Sequence, residues 1–252
     1  MSDKTQLAFV ADDFGLSALV NGAIVHAHHH GALTGASLMM GQPGTDDAVA
    51  LARTLPSLEI GWHLHLCDSR PLTQPDWPWG CSPVRAGILL ALTPAHRRRI
   101  RDEIARQWQA FRATGLPCRF INTHHHLHLH PWVLRVLQET VGAADGAWFR
   151  GGAFRSFGSG ESVTAAVTRH LGSRRAGTFA GPDRLATAAS VWGLDRLHRM
   201  SASEITAAAA ALPAGLHEFM FHPRSPTGDA DVRALLDLGN SGYRPRPSKG
   251  GR

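Results

Sequence analysis

The chain has 252 residues, 43% hydrophobic and 18% charged, enough for one large α/β domain or two small ones with a substantial core. No apolar run reaches the roughly 18–20 residues of a bilayer span, and Cys67, Cys81 and Cys118 form neither a C-x-x-C pair nor a disulfide framework, so free thiols in a reducing compartment are expected. The net charge of +6 is almost all arginine and raises the question of nucleic acid or anionic lipid, but neither basic stretch, 96–106 or the tail after Tyr243, interleaves aromatics, so no nucleic-acid partner is expected.

The amino terminus has no long apolar segment before its Asp pair, which reads as an unprocessed cytoplasmic chain. Residues 6–11 form an apolar run ending at Asp12 and Asp13, the pattern of a buried strand. Ser17 can cap a helix over 18–30 that stops at Gly31. A second strand is expected at 33–40, a short helix at 46–55 and a third strand at 58–66. Residues 67–87, rich in Pro, Trp and Gly, read as a long loop. Pro94 opens a helix over 94–114 that ends at Gly115. A strand at 119–123, a helix at 131–141 and a short strand at 147–151 follow. Residues 156–189 carry no clear period. A strand at 190–194, an Ala-rich helix at 202–212 and a last strand at 215–221 complete the pattern. This alternation implies a parallel sheet with right-handed crossovers. The expected fold is a TIM-like (β/α) barrel, distorted or incomplete, in one domain over 1–243, with residues 244–252 a basic, disordered tail. In such folds chemistry sits at the carboxyl ends of strands.

Three predicted strand ends carry ligand-type residues. Asp12 and Asp13 are adjacent, so their side chains point in different directions, and one can bind a metal while the other acts as a base. His63 and His65 share one face of their strand. The third segment, N-T-H-H-H-L-H-L-H-P at 122–131, puts five histidines in seven residues, and imidazole is the commonest protein metal ligand. A metal held by one of these aspartates and by histidines from the two later segments leaves positions for water and substrate, which suits hydrolysis of an amide or ester; spacing does not choose among His124, His125 and His126. The other run, His28 to His30, suits the carboxyl end of a helix. His222 ends the apolar strand E-F-M-F-H-P and could serve as an acid.

In order along residues 7–223, the stretches A-D-D-F-G-L-S, V-N-G-A-I, L-T-G-A-S-L-M, G-W-H-L-H-L, N-T-H-H-H-L-H-L-H-P and E-F-M-F-H-P resemble the YdjC-like carbohydrate deacetylases. Asn122, where the chito-oligosaccharide branch has Asp, and the V-W-G-L and L-P-A-G-L-H-E-F-M-F-H-P segments resemble most the hopanoid-biosynthesis-associated branch. The resemblance implies removal of an N-acetyl group from an N-acetylglucosamine-type sugar, as a glycolipid on a hopanoid or as a chito-oligosaccharide. It implies Asp12 as general base and His222 as general acid or oxyanion stabiliser. It selects Asp13, His63 and His124 as ligands of one divalent metal ion, zinc or magnesium first. Arg150 would hold a carboxylate or the substrate, and His128 is assigned to substrate binding with it. A homodimer, and peripheral contact of the basic tail with anionic lipid, are carried as further expectations. The family's last helix and strand look rewritten here after Asp237. Two rivals belong to other classes: a facial iron site for oxygen chemistry, which this scaffold does not favour, and a non-catalytic sugar- or metal-binding homologue.

Overall fold

Strand β1 (Thr5–Phe14) is the spine of the sheet because Leu7 to Ala11 is apolar without alternation, as a strand covered on both faces must be. The computed structural model describes residues 5–142, 146–158, 161–175 and 185–243, so the basic tail from 244 lies outside the described residues. After β1 come α1 (Ala18–His30), β2 (Gly35–Leu38), α2 (Thr45–Thr54), β3 (Glu59–Leu64), α3 (Pro83–Leu92), α4 (Pro94–Ala113) and β4 (Phe120–Thr123). A 3-10 helix, His124–Leu129, leads into α5 (Pro131–Val141), β5 (Trp148–Phe149) and α6 (Val163–Arg175). Strands β6 (Ala186–Thr187) and β7 (Ser190–Trp192), a 3-10 turn (Leu194–Arg196), α7 (Ala202–Ala210), β8 (Gly215–Phe221) and α8 (Ala230–Asn240) complete the order.

Among the described residues eight strands form one parallel sheet, in the order β6-β5-β4-β3-β2-β1-β8-β7. The edge strands β6 and β7 are consecutive in the chain, with only Ala188 and Ala189 between them. Ala188 donates its amide to Phe149 (3.2 Å) and Ala189 to Leu216 (2.7 Å), so the sheet curls until its two edges meet at one link. That is the expected distorted, incomplete (β/α) barrel: β5 and β6 have two residues each, and among the described residues the edges share no ladder.

The observed elements differ from expectation where loop composition hid them. The loop expected at 67–87 ends at Ser82, whose hydroxyl accepts from the Arg85 amide and starts α3. Helix α6 and β6 lie in the stretch that showed no period. Helix α8 starts at Asp229, which caps the Val232 amide, runs past Asp237 to Asn240 and packs on α1. Strands expected at 33–40 and 147–151 are shorter, Gly35–Leu38 and Trp148–Phe149. Among the described residues no disulfide joins the three cysteines; Cys67 is buried and Cys81 exposed. Among the described residues no helix is long and apolar enough to cross a membrane.

Gly61 in β3 makes room for the Phe120 ring of β4. A methyl built on it would lie 2.3 Å from that ring. Gly61→Ala is therefore expected to destabilise the fold by about 1–3 kcal/mol, the usual range for overpacking a tight core, read from the denaturant midpoint; an unchanged midpoint would show that Phe120 has space to retreat.

Candidate metal centre and active site

Sheet order puts the carboxyl ends of β4, β3, β2, β1 and β8 side by side. His63 in β3 is in register with Asn122 in β4, His124 follows β4 directly, and His222 follows β8. The β1–β2 ladder slips between Ala11 and Phe14, and within that slip Asp13 takes a left-handed backbone, φ 68°. The irregularity turns the two neighbouring carboxylates to different partners.

Asp13 faces two imidazoles. Its Oδ1 lies 3.3 Å from His63 Nε2 and 2.9 Å from His124 Nδ1. These three donors converge closely enough to ligate one ion. Asp13 Oδ1 and His63 Nε2 are buried, and neither completes a hydrogen bond of ordinary geometry with the protein. Orphaned buried donors of this kind fit a cation, and one carboxylate with two imidazoles leaves positions open for water and substrate. Asn122 fixes the tautomer of His63: its Oδ1, an acceptor only, sits 2.6 Å from His63 Nδ1, so the proton is on Nδ1 and the Nε2 lone pair faces Asp13. The same amide donates from Nδ2 to Asp12 Oδ1 at 3.0 Å. Asn122→Leu removes both supports and is expected to weaken divalent-cation binding by about 10–100-fold, the usual cost of losing an outer-shell partner; titration calorimetry of variant and parent with zinc and with magnesium reads it.

Asp12 has a different environment. It is buried and accepts two guanidinium hydrogen bonds from Arg150, at 2.6 and 2.8 Å, with a further bond from Ser37 Oγ at 2.9 Å. Burial opposes its ionisation, but the Arg150 guanidinium, with help from His63 and His222, outweighs it and holds the carboxyl well below the usual range. Arg150 also donates to Glu218 Oε1, from Nε at 2.9 Å and from the second amino group at 2.5 Å. Burial, reinforced by the Asp12 charge, leaves Glu218 on balance above the usual range despite Arg150.

His222 Nε2 stands 3.6 Å from Asp12 Oδ2. Its amide donates to Asp231 of α8 at 2.8 Å, which fastens the strand end. Burial lowers its pKa, Asp12 and Asp13 raise it, and the balance is about 4, so the ring is neutral at pH 7.

The histidine run fans out because His125 and His126 both have left-handed backbones, φ 52° and 54°. His124 meets Asp13, His125 pairs with Asp68 at 3.3 Å, and His126 packs against the Phe154 ring. His128, expected to bind substrate, lies beneath the strand end. It is fully buried, its Nδ1 is 2.7 Å from the Thr123 hydroxyl and its ring meets Phe149 edge-on. Arg150 is likewise fully buried, with its guanidinium bonded to the carboxylates of Asp12 and Glu218. His65 turns away from the site, to Met40 O and Ser69 Oγ. Ser37, Glu218 and Asn122's bridging role were missed by sequence reasoning. Glu218 had a signal: it shares a strand face with His222 at period two, a charge inside an apolar strand.

A family model described as YdjC-like protein matches residues 6–241. A carbohydrate deacetylase of Vibrio campbellii is 36% identical over 138 residues, covering 54% of this chain and 55% of that protein. One from Brevibacillus brevis is 38% identical over 132 residues, 50% of this chain and 52% of the relative. The chain spans about half the length of the curated relatives it matches. Among solved structures, an Enterococcus faecalis protein provisionally named for cellobiose-phosphate cleavage superposes with a TM-score of 0.63 over 97% of both chains at 17% identity, a likeness of fold.

Proposed function

The chain belongs to the YdjC-like family, and from that premise we propose that it is a metal-dependent hydrolase that removes the N-acetyl group from an N-acetylglucosamine-type sugar. The observation that carries this reading is the division of labour between two adjacent carboxylates: Asp13 faces His63 and His124, while Asp12 is ionised, anchored by Arg150 and next to His222. Relatives named carbohydrate deacetylases support the amide as the bond and the sugar as its carrier. We take the substrate to be a glycolipid, an N-acetylglucosaminyl hopanoid, with a chito-oligosaccharide as the alternative, and the compartment to be the cytoplasm.

Asp13, His63 and His124 would hold one divalent ion, and two imidazole donors favour zinc over magnesium. Such an ion supplies Lewis acidity, lowering the pKa of a water from about 16 towards 7 and polarising the acetamide carbonyl. Asp12, ionised throughout the neutral range, takes a proton from the attacking water. His222 is neutral at rest, so the proton it delivers is one it acquires during the reaction. The Asp12 oxygen 3.6 Å away is the nearest source, and from His222 the proton passes to the departing nitrogen. The products are a free amino sugar and acetate.

Acetate release from a panel of N-acetylglucosaminyl hopanoid, chitobiose and simple acetamido sugars tests this. Release from at least one of them, abolished by chelator and restored by zinc or magnesium, is expected. Tight sugar binding without acetate, cation supplied, would instead mark a non-catalytic homologue.

A further inference from the structure

We propose that the face carrying the site docks on an anionic lipid surface. Six of the eight exposed large apolar side chains among the described residues fall on two helices, α3 and α6, a clustering that singly scattered surface apolar residues would not show.

Two helices carry most of this surface. On α3, Val84, Ile88 and Leu92 are exposed at 65%, 52% and 75%. They repeat at every fourth residue and form one stripe. The opposite side of α3 buries Ala86 and Leu90, and Arg85 is its single charge. A helix apolar on both sides needs an apolar neighbour on both, and the protein supplies one. On α6, Val163, Val167 and Leu171 repeat the same spacing at 82%, 53% and 43% exposure. Both helices pack against the 3-10 helix that starts with His124, so the stripes flank the proposed centre. Helix α6 lies over the strand end itself: Gly172 in its last turn packs on Gly152, just beyond β5, so closely that a Cβ on either would meet the other's backbone within 2.4 Å. Leu19, after β1, and Leu197, beside the His198 that contacts His222 O, extend the rim.

Charge selects the occupant. Neither α3 nor α6 contains a carboxylate, and Arg85 and Arg174 are exposed, as are Arg155 and Arg199 on adjoining loops. Of the acids in the loops leading into α3 and α6, Glu161 pairs with Arg169 and Asp68 with His125, and exposed Asp76 is outnumbered by the four arginines. A second copy seated on this face would set arginines against arginines, whereas anionic headgroups would neutralise them while the apolar stripes enter the acyl boundary. Docked this way, the site opens towards a sugar presented at the surface of a bilayer.

Flotation of the full chain with vesicles tests the proposal without reference to catalysis, so it stands or falls separately from the deacetylase reading. The chain is expected to float with vesicles of phosphatidylcholine mixed with phosphatidylglycerol and to stay behind with phosphatidylcholine alone. V84S/I88S/L92S and V163S/V167S/L171S alter exposed positions only. Each is expected to reduce partitioning by at least about tenfold with an unchanged circular-dichroism melt. Arg85→Glu with Arg174→Glu should lower it by about fivefold per arginine or more. No binding to anionic vesicles overturns the proposal, as does binding that both stripe variants retain. A concentration-dependent dimer dissolved by the same serine substitutions, with no vesicle binding, would assign the face to a second copy instead.

Discussion

Replacing Arg150 by methionine is expected to lower stability by about 3–5 kcal/mol, the cost of leaving buried charge without its partner. The guanidinium sits between two buried carboxylates, Asp12 and Glu218, and makes four hydrogen bonds to them. Methionine fills much of the same volume, so the loss is electrostatic rather than a cavity. The pH dependence follows from the sign of each shift. In the parent, Asp12 is held below its unfolded value of about 3.9, so its contribution is present above that pH and lost as pH falls through the folded value. Without Arg150 both carboxylates rise, and a group with a raised folded pKa contributes stability below its unfolded value that is lost as pH rises. The gap between parent and variant should therefore be widest near pH 7 and narrow below about pH 4. Denaturant midpoints from pH 3 to 8 measure it. A gap that does not change with pH would place the loss in packing. Arg150→Lys keeps the charge without the planar fork and should fall between the two.

The site was legible in the sequence to the extent that its residues are local to strand ends. Asp12, Asp13, His63 and His222 each end or nearly end an apolar run, and the parallel order puts such ends on one face. Which histidine of the run faces Asp13 was not legible from spacing. It depends on left-handed backbones at His125 and His126, a conformation neither residue type announces. His128 looked equivalent to its neighbours, but the turn carries it under the strand end to Thr123. Arg150 was legible as a strand-end cation and not as the link between Asp12 and Glu218, because that link crosses 138 residues in one direction and 68 in the other.

The same distinction holds for the fold. Long apolar or amphipathic segments such as β1, α1, α4 and β8 were placed within a few residues. The two-residue strand β6 has no period to read, since tertiary pairing alone defines it, and β5, expected over 147–151, keeps only two paired residues. Helix α3 was missed for a related reason. Its apolar residues point both inward and outward, so no amphipathic stripe distinguishes it from the Pro- and Trp-rich loop before it.

Asp12→Asn is expected to reduce acetate release by about 10²–10⁴-fold, the range for losing a positioned general base, while leaving the cation's effect on stability in place. Asp13→Asn should do the reverse to stability: the gain on adding zinc or magnesium, about 2.7 kcal/mol at a hundredfold excess over the dissociation constant, should largely disappear together with turnover. Asparagine suits both tests. At Asp13 it tolerates the left-handed backbone that alanine would strain, so a lost cation effect is not a backbone effect. At Asp12 it keeps one acceptor but turns an amide towards the Arg150 and Asn122 donors, which lowers baseline stability. The quantity to compare is thus the cation-induced increment within each variant, not the melting temperature between variants. Full turnover by Asp12→Asn would remove it as the base. A lost increment in Asp12→Asn with a retained one in Asp13→Asn would exchange the two roles. The structure argues against that exchange, because Asp12's oxygens already receive Arg150, Ser37 and Asn122, while Asp13 Oδ1 has only imidazole nitrogens before it.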